Sequence, residues 1–512
     1  MSTPQFYPNT LHPVQIDTDN LQRTLCELRT AVNNGAQIIQ KNCAPPNEWG
    51  KAGLYVGVAG IALTFLRLER QAPSLIEPHE ASIDFGRLAR ERIIQDGPGV
   101  PLEPGRLSPV GSSTPVTAAV MRILEGATSG SDISMDDISC LQEAVKTALQ
   151  NEHMIPRRGR IMGADEIMFG RPGLLWSILN LRLQKFDVKT TKHLQFVFDS
   201  VPNLIDVIVR AGRQGCEDHV RRHGDKDALP LMWTWTEGQY YLGATGVLAV
   251  LLACQESDLN DCASRNYLPW IADTITGLCR LCIVSQGHLP TRIPLRHSSH
   301  RQSPLVQICH GGPGLLLLMA CARRCPFVVK YWKPEWDKAI HLASQKIWEQ
   351  GILSKGGGLC HGIAGNALPL LLMHNSIEFE SGEIQEAEFN QTAKVGNLQN
   401  NPSSDYFLSR ALALLKHAQN TPPYSTSSSS SSNSYRMPDH PLSLHEGLAG
   451  TVCAWAEACV AIQSKLRKLE IESHRKEPIT EVILKNDVIL EKLQSRQLGF
   501  PTIAYHRPTG LL

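Results

Sequence analysis

The tripeptide Cys-His-Gly occurs twice in this chain, at Cys309-His310-Gly311 and at Cys360-His361-Gly362, and each copy runs straight into a glycine pair and an apolar stretch. If the two stretches are helices lying parallel and adjacent, both cysteines emerge at the same end of the bundle. Two thiolates and a neighbouring imidazole make a soft-to-borderline donor set, the set a zinc ion takes when one coordination position is left open for chemistry. Chance recurrence of a small buried residue is the competing reading. The shared position of the two copies within a larger repeat argues against it.

That repeat is a G-x-x-G step at Gly57/Gly60, Gly170/Gly173, Gly243/Gly246, Gly311/Gly314, Gly362/Gly365 and Gly447/Gly450, with a decayed copy at Gly111-Ser112-Ser113-Thr114-Pro115. After each pair comes an almost uncharged segment, such as Ile61-Ala62-Leu63-Thr64-Phe65-Leu66 or Thr451-Val452-Cys453-Ala454-Trp455-Ala456. A helix that is apolar all round belongs in an interior layer, and glycines at its start permit tight turns and close backbone approach. Amphipathic segments alternate with these: Asp17 to Ile39, Phe85 to Gln95, Asp136 to Leu149, Phe196 to Gly212, Trp270 to Ser285, Trp336 to Gly351 and Tyr406 to Gln419. Seven outer helices, each preceding one inner helix, predict stacked helical hairpins that close into a double ring with the glycine turns converging on a central cavity.

Strand signals are sparse, and His288 to Leu295 reads as a loop or short hairpin. The chain is expected to form one domain over 1–512 with its core at about 53–460. Insertions fall near 376–403 and 420–436, the latter holding a serine run too polar and too low in complexity to pack. The charged stretch from Lys465 to Arg496, within a C-terminal extension over 464–512, reads as a solvated helix outside the ring.

Composition excludes several function classes. With 50 Lys and Arg against 49 Asp and Glu the net charge is +1, and no long basic stripe offers itself to nucleic acid or to an anionic membrane. The apolar runs are well short of the ~20 residues that span a bilayer. Fourteen cysteines are dispersed along the chain and lie mostly within apolar helical runs, as reduced core residues of a protein in a reducing compartment. The start has neither a signal peptide nor a myristoylation glycine, so the expected location is the cytoplasm, with peripheral attachment at the plasma membrane as a variant.

The segments Gly358-Leu359-Cys360-His361-Gly362-Ile363-Ala364-Gly365, Cys309 to Gly314 and Leu444-His445-Glu446-Gly447-Leu448-Ala449-Gly450 resemble the signature motifs of lanthionine synthetase C-like proteins, eukaryotic branch. Phe169-Gly170-Arg171-Pro172-Gly173, Tyr240-Tyr241-Leu242-Gly243-Ala244 and Arg436-Met437-Pro438-Asp439 add to the likeness, which runs in the right order from about Gly53 to Cys459. Such proteins are all-α, as α/α toroids of seven inner and seven outer helices. The resemblance implies a zinc ion held by Cys309, Cys360 and His361, with His310 as a supporting or turn residue. A thiol bound there as thiolate adds to the β-carbon of dehydroalanine or dehydrobutyrine. Bacterial relatives close thioether rings in this way, and eukaryotic ones resemble enzymes that add glutathione, as co-substrate, to dehydroamino acids in peptides or damaged proteins.

For glutathione recognition the resemblance points to Lys355, Arg436 and Asp439, where a bidentate arginine suits a carboxylate. Taken alone, these would be solvated cations and a turn residue. For acid-base work it points to Asp165 or Glu166, ambiguous by one residue, and either could equally be a charge at a helix start. Glu446 is a further cavity candidate, or a cap. One departure stands out. The family pattern after Tyr-Tyr-x-Gly-Ala continues with a histidine-glycine step, whereas this chain reads Ala244-Thr245-Gly246 and is four residues short, about one helical turn. Proton transfer then falls to another group, or turnover is impaired, or the sequence itself carries a gene-model error. The alternative functions are therefore a zinc- and glutathione-binding regulatory scaffold with little turnover and, ranked last, a glycoside hydrolase, which would need two carboxylates facing across the cavity.

Overall fold

The computed structural model describes residues 4–76, 83–157, 159–236, 239–242, 267–293, 305–379, 402–425, 434–474, 484 and 486–502. The glycine-led apolar segments become helices of an inner layer and the amphipathic ones pack outside them. In chain order these are α1 (Thr18–Asn42), α2 (Val58–Leu75), α3 (Phe85–Arg90), α4 (Pro115–Ser129), α5 (Met135–Gln150), α6 (Arg171–Arg182), α7 (Val188–Asp199), α8 (Val201–His223), α9 (Leu268–Val284), α10 (Gly312–Arg323), α11 (Pro334–Gln350), α12 (Ile363–Glu378), α13 (Ser404–Ala418), α14 (Leu448–Ser473) and α15 (Val488–Gln494).

Every residue of α10 is buried, as is α12 except for Ile377, which places both inside a layer of other helices. The inner helices pack as neighbours in the order α2, α4, α6, then α10, α12 and α14, and α14 packs back on α2 to close the ring. The fourth expected inner helix, from Gly243 to Cys254, lies outside the described residues, as does the four-residue gap after Ala244. The outer layer sets α1 against α14, α5 against α4, α11 against α10 and α13 against α12. The architecture is an α/α toroid.

Three expectations need correction. The outer helix placed at Phe196 to Gly212 is two helices, because Ser200-Val201-Pro202 interrupts it. Proline has no N–H to continue a helix but suits the first turn of a new one, and α8 starts there. The helix begun at Phe85 ends at Arg90 rather than Gln95. The stretch beginning at Lys465 is not solvated at its start: α14 runs on to Ser473, and the Lys465 ammonium lies 2.7 Å from Glu378 and 2.8 Å from Asp405. Lys468 also reaches Glu378, at 3.0 Å. Charge was a poor guide here because the charges are paired inside the fold.

Strands are few and edge the ring as one antiparallel meander, β1 (Met154–Arg157), β2 (Arg160–Gly163), β3 (Thr234–Thr236), β4 (Gln239–Tyr241) and β5 (Arg292–Ile293). Of the loop or short hairpin expected at His288 to Leu295, Arg292 and Ile293 form a strand paired with Tyr241 and Tyr240, and the last two residues lie outside the described ones. Beyond that stretch, Gln497, Leu498, Phe500 and Thr502 are fully buried.

Replacing Lys465 with Met should leave the Glu378 and Asp405 carboxylates short of a partner and cost about 3 kcal/mol in denaturant unfolding. A change below about 0.5 kcal/mol would return Lys465 to solvent.

Candidate metal centre

The described turns that lead into inner helices are tight, and this explains the second glycine at Gly60, Gly173, Gly365 and Gly450. A methyl group at Gly365 would collide with the carbonyl oxygen of Leu359, and one at Gly450 with that of Leu444. With those glycines in place, each turn lies against the next and the backbones hydrogen-bond in series. Ile308 N–H donates to Cys360 O (3.1 Å), Cys360 N–H to His445 O (2.8 Å), His445 N–H to Tyr55 O (3.0 Å) and Tyr55 N–H to Val110 O (2.8 Å), while Gly111 N–H donates to Met168 O (2.9 Å). Six consecutive turns are thereby linked at one face of the ring.

The belt brings Cys309, Cys360 and His361 together, with one sulfur or nitrogen ligand atom from each lying within 4.8 Å of the others. Tetrahedral zinc bonds of about 2.0–2.3 Å place ligand atoms roughly 3.4–3.8 Å apart, so the three residues fit a zinc ion with slight closure and, among the described residues, supply three of its four positions. Electrostatics favour the same species. Cys360 is held well below the ordinary thiol range, first by the Cys309 thiol donating to its sulfur and then by His361 and the Tyr55 hydroxyl. Cys309 is pushed well above that range by the same hydrogen bond and by burial, with the Lys355 ammonium acting in the opposite sense. A metal bound there would need both sulfurs as thiolates and would release any proton they hold.

Other expected residues fall into two groups. Lys355 is exposed on the loop ahead of α12 and close enough to Cys309 to act on it electrostatically. Arg436 and Asp439 are exposed on the loop ahead of α14, and Arg436 N–H donates to Ser354 O at 2.9 Å, so the Arg436 backbone abuts the residue preceding Lys355. Lys355 and Arg436 thus stand on adjoining loops, with Lys355 near Cys309.

Asp165 and Glu166 belong to the turn ahead of α6, elsewhere on the ring. Asp165 is committed to a buried two-pronged pair with Arg171, whose Nε donates to it at 2.7 Å, and that pair ties the turn to its helix. Glu166 accepts from Met168 N–H at 2.6 Å, and burial pushes its carboxyl up to about 8. Burial raises the Asp165 carboxyl too, with the Arg171 guanidinium opposing it. Glu446 is half-buried beside His445 and lies near enough to Tyr55 for its charge to bear on that hydroxyl.

Two residues at the site escaped the sequence reading. Burial and the neighbouring Cys360 charge raise the Tyr55 hydroxyl above its usual range, so it stays protonated and hydrogen-bonds to Cys360. The His445 ring stacks on Tyr55 at 4.7 Å between centroids and 9° between planes. A signal for both exists: Tyr55, Cys309, Cys360 and His445 each stand two residues before the first glycine of a pair.

Purified protein should carry about one zinc per chain, measured by plasma mass spectrometry. The double variant Cys309→Ala, Cys360→Ala should carry none, with unchanged far-ultraviolet dichroism, because the ring is held by helix packing and the backbone belt. Full occupancy in the double variant would remove the assignment.

Among the described residues no helix is long and apolar enough to cross a membrane. The family model for lanthionine synthetase C-like protein matches residues 116–394, more than half of the chain and inclusive of Cys309, Cys360 and His361. A Danio rerio protein named Glutathione S-transferase LANCL1 is 23% identical over 454 residues, covering 88% of this chain and 91% of that one. The Arabidopsis thaliana LanC-like protein GCL1 is 24% identical over 321 residues, covering 62% of this chain and 60% of its own. Among solved structures, nisin cyclase aligns with a TM-score of 0.40 and 15% identity over 79% of this chain and 100% of that one. On the family match, the chain belongs to the lanthionine synthetase C-like proteins.

Proposed function

We propose that the protein adds the thiol of glutathione to dehydroalanine or dehydrobutyrine residues of peptides or proteins, forming a thioether. The observation that carries this reading is the convergence of Cys309, Cys360 and His361, with Lys355 near Cys309 and the Arg436 backbone bonded to the residue before Lys355. Zinc bound by those three residues would supply the positive charge that keeps an incoming thiol deprotonated near neutral pH.

The rest of the work belongs to the chain. Lys355 and Arg436 offer charged donors to the two carboxylates of the tripeptide and so orient its sulfur towards the cysteines. In the addition the sulfur lone pair forms a bond to the β-carbon of the dehydroamino acid. The carbon–carbon π pair moves to the α-carbon, which takes a proton, and the proton lost from the thiol balances it. A buried carboxylic acid protonated at neutral pH is suited to deliver that proton, and Glu166 is the candidate. The name of the Danio rerio relative supports glutathione as the thiol. The scaffold alternative rests on the absent histidine-glycine step after Ala244. Zinc and glutathione binding without any thioether formed on a dehydroalanine peptide, followed by mass spectrometry, would favour it.

Arg436→Ala should weaken glutathione binding by about 1.5–3 kcal/mol if a charged hydrogen-bonded pair is lost. Titration calorimetry on both proteins measures it, and equal affinities would assign Arg436 to solvent. An acid must hold its proton to donate it, so the rate of addition should fall as pH rises through about 8. Glu166→Gln should slow addition by roughly 100-fold and abolish that limb. A variant that keeps the same profile would leave Glu166 as a helix-capping group.

A further inference from the structure

After α15 the chain re-enters the ring between α2 and α14, and seven residues, Arg496–Thr502, run through the interior. Charged side chains on those two inner helices satisfy its backbone. Arg67 of α2 donates to Gly499 O at 2.6 Å and to Leu498 O at 3.4 Å. The Glu457 carboxylate of α14 accepts from Leu498 N–H at 2.9 Å, Gly499 N–H at 3.2 Å and Gln71 Nε2 at 2.8 Å, and Gln71 also donates to Arg496 O at 3.0 Å. Buried Arg and Glu are costly unless fully hydrogen-bonded. Here the groups that bond them include the backbone of this one segment.

Beyond these contacts the segment reaches the metal face. Phe500 is fully buried with its ring 6.2 Å from that of His445, and Thr502 Oγ1 lies 2.6 Å from His445 Nε2. Thr502 has a φ of 65°, a left-handed conformation that a β-branched residue adopts only when its surroundings enforce it. His445 in turn has three ties to the cysteines: its carbonyl accepts from Cys360 N–H, its N–H donates to Tyr55 O, and its ring lies flat on the Tyr55 ring, whose hydroxyl bonds Cys360.

We propose that Arg496–Thr502 is an internal strap that positions the metal centre, with Thr502 fixing the His445 ring and His445 fixing Tyr55 and the Cys360 backbone. The proposal rests on reading Cys309, Cys360 and His361 as metal ligands. Its chemistry is that of outer partners at metal sites generally: a ligand sulfur keeps its place only while the groups hydrogen-bonded to it keep theirs. Thr502 is a positioning residue, since it touches neither metal nor substrate.

Three substitutions in the full-length chain separate positioning from folding. Thr502→Val keeps the shape and loses the hydroxyl, Thr502→Gly loses the hydroxyl and relieves the left-handed strain, and Thr502→Ser restores the hydroxyl. Zinc affinity is measured by chelator competition, coordination geometry by the cobalt(II) absorption spectrum, and the Cys360 amide by hydrogen exchange. Thermal midpoints are recorded alongside. The Val and Gly variants should bind zinc about 10-fold more weakly, shift the cobalt band and exchange the Cys360 amide faster, with the Gly variant as heat-stable as the parent. The Ser variant should behave as the parent does. Parental zinc affinity and amide exchange in both the Val and Gly variants would overturn the proposal, as would a Ser variant as weak as Val. If the parent protein itself bound no zinc, the metal-centre reading would fall first, and the Cys360 amide would still decide the strap.

Discussion

The structure depends on a belt of backbone hydrogen bonds that joins the glycine turns at one face of the ring. Ile308, Cys360, His445, Tyr55 and Val110 are linked in series, each donor to the next carbonyl, and Gly111 continues the link to Met168. A side chain at the second glycine of a pair would collide with a carbonyl oxygen of its own turn, as at Gly365 and Gly450. The glycine pairs are therefore a packing requirement first. The consequence is chemical: whatever residue stands two places ahead of a pair is delivered to the same face as its counterparts in the neighbouring repeats.

Four such positions carry Tyr, Cys, Cys and His, and the site follows from them. The two cysteines, with His361 added from the following residue, form a three-residue set that fits a metal ion. Tyr55 and His445 hold the pair from behind, one by its hydroxyl and the other by its ring and backbone. Ring closure serves the same end, because α14 packing on α2 is what sets His445 beside Tyr55.

The sequence carried the inner ring almost completely, since six glycine-led apolar segments translate into helices at the expected places. It also pointed to Cys309, Cys360 and His361, which the structure brings within 4.8 Å of one another, because cysteine and histidine announce their chemistry by type. Tyr55 and His445 were silent for the opposite reason: their types suggest nothing, and only their register with the cysteines marks them. Asp165 and Glu166 could not be separated without seeing Arg171, whose guanidinium claims the first of them. Periodicity also ran unbroken through Ser200-Val201-Pro202, where the absence of one backbone N–H divides the helix. The segment Arg496–Thr502 has no periodic or motif signal of its own, and its partners Arg67 and Glu457 are single charges on otherwise apolar helices. They are the groups that hold the C-terminal segment inside the ring.

The central claim is that equivalent turns assemble a three-ligand centre with one position open to a thiol. X-ray absorption at the zinc edge of the purified protein tests it most directly. The account predicts two sulfur atoms at about 2.3 Å and two nitrogen or oxygen neighbours at about 2.0–2.1 Å, becoming three sulfurs when glutathione is added. A zinc shell without sulfur, or one already closed by four protein ligands and unchanged by glutathione, would contradict it.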